Sequence, residues 1–70
     1  MMEKNVWAVH PDDIVIIKGK YYKYKRDFKK YMPTLGMVMT RELVNINDKT
    51  DRQLFTRNVE VVAFRSSRTR

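Results

Sequence analysis

Ile14-Val15-Ile16-Ile17 constrains this chain more than any other stretch. Four β-branched residues in a row are too few for a helix core, and they are apolar on both faces. Asp12-Asp13 bounds them on one side and Lys18-Gly19 on the other. Such a run reads as a central strand, covered on both sides. The other apolar segments are equally short. Asn5-Val6-Trp7-Ala8-Val9 reads as a first strand stopped by Pro11. Leu35 to Thr40 reads as another, with Gly36 marking a bulge or a close backbone approach. There the apolar phase slips, from odd positions (Leu35, Met37, Met39) to even ones (Val44, Ile46), so a bend at Arg41-Glu42 or a new strand over 42–46 is expected. Asn47 to Asp51 has the composition of a turn. Gln53 to Thr56 and Val59 to Phe64 supply the last strands, split at Arg57-Asn58.

The segment from Lys20 to Met32 admits two readings. As a strand, 20–26 places Tyr22, Tyr24 and Arg26 on one face and Tyr21, Lys23 and Lys25 on the other. One helical turn, started by Asp27 and ended before Pro33, would then follow. As a single amphipathic helix, Tyr21, Tyr24, Phe28, Tyr31 and Met32 form an apolar stripe with the lysines opposite. The tyrosine density favours the strand. With 70 residues the chain makes one domain with a thin core, which Met37 and Met39 are expected to help fill, the alternative being an adaptable partner groove formed by Met32, Met37 and Met39. Five or six short strands point to a mainly β fold, a small antiparallel β-barrel over residues 1–64 with one short helical turn. Residues 65–70, Arg-Ser-Ser-Arg-Thr-Arg, read as a disordered basic tail.

Three pieces of this pattern carry a resemblance: Asp12-Asp13-Ile14-Val15-Ile16-Ile17-Lys18-Gly19, then Leu35-Gly36-Met37-Val38, then Val59-Glu60-Val61-Val62. Over residues 12–63 the order of an acidic turn, an apolar strand, a long loop, a glycine-opened strand and a closing valine strand resembles SH3-like barrels of the KOW and Tudor kind. The resemblance implies a module that binds nucleic acid or protein. It transfers no specific site. The basic, tyrosine-rich first loop and the extra strand before residue 10 depart from the family pattern.

Charge separates the chain into unequal parts. The whole carries +7, yet residues 1–17 sum to −2, 18–30 to +6, 31–64 to zero and 65–70 to +3. Excess positive charge therefore sits in two short segments, where it raises the local potential and attracts polyanions. In the first, seven basic residues alternate with aromatic ones. Phosphates need cations, and unpaired bases need flat faces to stack on, so this interleaving suits single-stranded nucleic acid. The candidate binding residues are Lys18, Lys20, Tyr21, Tyr22, Lys23, Tyr24, Lys25, Arg26, Lys29 and Lys30, joined by Arg65 and Arg68 from the tail. Arg26, Arg41, Arg57 and Arg65 would add bidentate recognition if the fold brings them together.

Catalytic chemistry is poorly supplied. There is no cysteine, the only histidine is His10, and serine occurs only at Ser66 and Ser67, so neither a triad nor a thiolate site is expected. Asp12 and Asp13 read as the start of a turn. Asn47, Asp48 and Asp51 lack calcium-loop spacing, and Gly19 and Gly36 make no phosphate-binding loop. No cofactor is expected. Neither a long apolar run nor a signal-like N-terminus is present, and with zero cysteine this gives the expectation of a cytoplasmic protein that avoids membranes. The function expected is a non-enzymatic nucleic-acid-binding module, with RNA or another single strand as ligand. The alternative is a small regulator or inhibitor, of the size and charge of a phage or mobile-element accessory protein, that docks on an acidic protein surface. An unpaired edge strand leaves a monomer or a weak homodimer open.

Overall fold

The computed structural model describes residues 1–65. Among these residues six strands form one antiparallel sheet: β1 (Met2–Asn5), β2 (Asp13–Ile17), β3 (Lys20–Met32), β4 (Gly36–Asn45), β5 (Asp48–Phe55) and β6 (Glu60–Arg65), in the spatial order β1-β6-β2-β3-β4-β5. The Ile14–Ile17 run is central as expected, between β6 and β3. The mainly β, antiparallel class holds. The sheet is open, because among the described residues no ladder joins β5 back to β1. No helix among these residues is long and apolar enough to cross a membrane.

Alternation sorts side chains onto two faces. The inner face carries Val15, Tyr22, Leu43, Val61 and Ala63, and Val6 and Val9 from the connection after β1 lie across it to complete the core. That connection corrects the strand expected at 5–9. Val6–Ala8 is a 3₁₀ turn, capped by the Asn5 side chain, which accepts the Trp7 amide at 2.9 Å. β-Propensity was overridden there because the segment has to bend over the sheet rather than extend it.

The helical turn expected at 27–32 is also absent, since β3 runs unbroken to Met32 and pairs with β4 along its length. Asp27 does not cap a helix. Its carboxylate is taken by Arg41 on the neighbouring strand. A bulge at Lys25, between the pairs Tyr24↔Leu43 and Arg26↔Glu42, shifts the face of everything beyond it. Arg26 consequently leaves the face of Tyr22 and Tyr24. β4 is likewise one strand, with neither a bend nor a break at Arg41-Glu42. Its phase slip arises because Met37 and Met39 share the inner face beyond the core, whereas Val44 lies on the outer face. Met37 and Met39 are exposed, which corrects their assignment to the core.

The turns follow residue chemistry. Lys18 and Gly19 both have positive φ, +51° and +78°, as the two central residues of a type I′ hairpin turn do. Asparagine tolerates that conformation better than lysine, while alanine tolerates it worse than glycine. Lys18→Asn is therefore expected to raise the thermal midpoint by a few degrees, and Gly19→Ala to lower stability by about 1 kcal/mol. A thermal melt followed by circular dichroism checks both, and a lower midpoint for Lys18→Asn would refute the turn assignment. Pro33 starts the three-residue loop that joins β3 to β4, where Leu35 donates to the Met32 carbonyl at 3.1 Å and Gly36 takes φ +76°. The expected turn at 47–51 is shorter: Ile46-Asn47 reverses the chain and β5 begins at Asp48.

Candidate polyanion-binding face

Four of the eight acids, Asp13, Asp27, Glu42 and Asp51, are engaged by side chains of neighbouring elements. Asp13 is buried and accepts from the Lys4 ammonium at 2.9 Å, the His10 amide at 2.9 Å and the Arg65 guanidinium at 3.2 Å. Burial pushes its carboxyl up, but these donors outweigh burial and hold it at about 2. Glu42, buried on the outer side of β4, binds Arg26 at 2.7 Å and Arg52 at 3.3 Å. The Arg26 hydrogen bond holds its carboxyl below the usual range. Asp51 accepts the Tyr22 hydroxyl at 2.6 Å and the Asn45 amide at 3.0 Å, and these bonds, Asn45 foremost, keep it lowered. The same hydroxyl bond raises Tyr22.

Arg41 forms the tightest constellation. It meets both Asp27 oxygens, at 2.8 and 2.9 Å, and donates to the Val6 and Val9 carbonyls at 3.1 and 3.2 Å. Its guanidinium lies 4.3 Å from the Tyr24 ring centroid and 5.1 Å from that of Trp7. The Arg41 hydrogen bond lowers Asp27, and Asp27 raises Arg41 in return. This pairing ties the 3₁₀ segment down onto β3 and β4.

The twelve residues expected to bind a polyanion therefore divide. Tyr22 is only 1 % exposed, and Tyr24 is half-buried against Arg41, so the stacking role is withdrawn from Tyr22 and Tyr24 is a structural ring. Arg26 and Arg65 are held by Glu42 and Asp13, and Arg65 closes β6 instead of opening a tail. With Arg41 interior, the arginines do not converge. Arg68 and the rest of 66–70 lie outside the described residues. Lys20 stands 3.9 Å from Asp51, while Lys18, Lys23, Lys25, Lys29 and Lys30 are exposed and enter no ion pair among the described residues.

Lys23 and Lys25 meet two residues that the sequence reading passed over, Lys49 and Arg52. With Val44, Asn45, Ile46 and Tyr24 they line a groove of about 600 Å³ that has no acid in its wall. Register explains the meeting: Lys23 pairs with Val44, and Val44 with Arg52, across three strands. Tyr21 lies two residues before Lys23 on that face. It is 43 % exposed and packs edge-on against Phe64, with 6.2 Å between ring centroids. Lys49 and Arg52 were hidden in a segment whose charge sums to zero. Its acids Glu42 and Asp51 are engaged by hydrogen bonds, Glu42 in part by Arg52 itself, so that among the described residues Lys49 enters no ion pair while Arg52 is half of one. No family model, curated protein or solved structure matches this chain.

Proposed function

We propose that this protein is a non-enzymatic nucleic-acid-binding module that holds a single strand, RNA foremost, on the outer face of its sheet. The groove of Lys23, Lys25, Lys49 and Arg52 carries the reading, because three lysines that enter no ion pair among the described residues converge there beside Arg52, which Glu42 holds at 3.3 Å. Phosphates enter that groove, and the exposed Tyr21 face stacks a base, a contact worth about 1–3 kcal/mol. Membership of the SH3-like barrels is part of the same proposal. It is supported by the sequence pattern over 12–63 and by a β2–β5 meander after which β6 returns beside β2.

Fluorescence anisotropy with single-stranded RNA, single-stranded DNA and duplex DNA across a salt series tests it. Each phosphate neutralised on a single strand contributes a log-log salt slope of about −0.7, so K23A/K25A/K49A should flatten the slope by about 2 and weaken all sequences alike. Tyr21→Ala should weaken single strands more than duplex. Binding that is equal for every polyanion, vanishes with salt and ignores Tyr21→Ala would overturn the proposal and favour an acidic protein surface as the partner.

A further inference from the structure

The β3–β4 hairpin outruns the rest of the sheet. β2 covers β3 only over Lys20–Tyr22, and β5 covers β4 only over Arg41–Asn45, so residues 27–40 form a two-stranded arm with both edges open. Open edges invite pairing with another chain, and charged residues normally guard them. Three of the open edges are guarded: β1 has Glu3 and Lys4, β5 has Asp48, Lys49, Asp51 and Arg52, and the β3 side of the arm has Asp27, Lys29 and Lys30. The β4 side is Gly36-Met37-Val38-Met39, ahead of the buried Thr40, without one charge. Beside it, on the inner face, Tyr31, Met37 and Met39 are 66 %, 61 % and 46 % exposed.

We infer that the chain dimerises through this edge, with β4 pairing antiparallel to β4 of a second copy about a two-fold axis at Val38. The occupant is a second copy because the edge is complementary to itself. In this register Met37 of each copy lies opposite Met39 of the other, and Val38 opposite Val38. The Tyr31↔Met37 and Lys29↔Met39 pairs extend each row, so tyrosine and methionines from both arms close over the seam. Electrostatics selects the same edge. Joined through β4, the two Lys30 side chains stand three strand spacings apart, about 14 Å, beyond a Debye length of about 8 Å at physiological salt. Joined through β3, Lys29 and Lys30 of the two copies would face each other directly.

Because the chain has no cysteine, Val38→Cys provides a clean probe. Residues opposite one another across an antiparallel pair have Cα atoms about 4.5–5.5 Å apart, within disulfide reach. Without nucleic acid present, the unmodified protein should sediment as a concentration-dependent monomer–dimer mixture. Val38→Cys should oxidise to a covalent dimer much faster than Asn58→Cys, placed in an exposed loop. M37E/M39E should be monomeric, and so should M37K/M39K, whereas mixing the two should restore a heterodimer by setting opposite charges across the seam. Monomer at every concentration, equal oxidation of the two cysteine variants, or a dimer indifferent to M37E/M39E would each overturn the inference.

Discussion

Arg41→Ala is expected to destabilise the protein by about 2–3 kcal/mol, because it removes a nearly buried guanidinium that ties a solvent-accessible Asp27 and two main-chain carbonyls together. Arg41 is 9 % exposed, and four of its N–H groups are engaged by Asp27 and by two main-chain carbonyls. Alanine would leave the Asp27 carboxylate without its guanidinium and the Val9 carbonyl without a donor, would leave the Val6 carbonyl with the Val9 amide alone, and would empty the space between Trp7 and Tyr24. An apolar pair at 27 and 41 does not rescue this, because the Val9 carbonyl still lacks a partner, at a cost of about 1–3 kcal/mol. Lysine keeps the charge but cannot span an acid and two carbonyls from one planar group. Urea unfolding of Arg41→Ala, Asp27→Ala and the double variant checks this. The double variant should cost clearly less than the two single losses added together. An unchanged urea midpoint for Arg41→Ala would refute the role assigned here. A domain of this size has little stability in reserve, so loss of nucleic-acid binding in this variant would report unfolding and not a lost contact.

Acid should unfold the protein through Asp13. Its folded value of about 2 lies below the ordinary 3.8. A depressed acid contributes stability that is complete above its unfolded value and is lost as pH falls through the folded one. For this gap the contribution is about 2 kcal/mol, present at neutral pH and lost progressively from about pH 5 down to about pH 2. Asp27 and Glu42, lowered by Arg41 and Arg26, act in the same direction. Asp13→Asn should flatten that acid slope, and should lower stability at neutral pH because Lys4 and Arg65 lose their shared counter-charge. Urea midpoints measured from pH 7 downward provide the comparison. A slope as steep in Asp13→Asn as in the parent would assign acid sensitivity to other groups.

Local chemistry was legible where it decided the outcome locally. The β-branched 14–17 run, the Lys18-Gly19 turn and the connection at Arg57-Asn58 all follow from nearby residues. The misread segments are those whose partners lie far along the chain. Residues 5–9 look extended until Arg41 claims the Val6 and Val9 carbonyls from 35 and 32 positions away. Asp27 looks like a helix cap until the same arginine claims it. The Lys25 bulge left no local mark, since an inserted residue changes pairing and not composition.

The candidate site shows the same division. Residues 18–30 announce an excess of cations and aromatics, and that information is present in the sequence alone. Which cations remain available was decided by the folded pairing of β3, β4 and β5. It engages Arg26 with Glu42, turns Asp51 toward Tyr22 and brings Lys49 and Arg52 beside Lys23. Strand propensity and turn chemistry act over a few residues, so the sequence by itself determined a β meander with a basic, aromatic hairpin. Charge neutralisation and burial act through space, so only the tertiary structure decided which side chains face the solvent with their charge unspent.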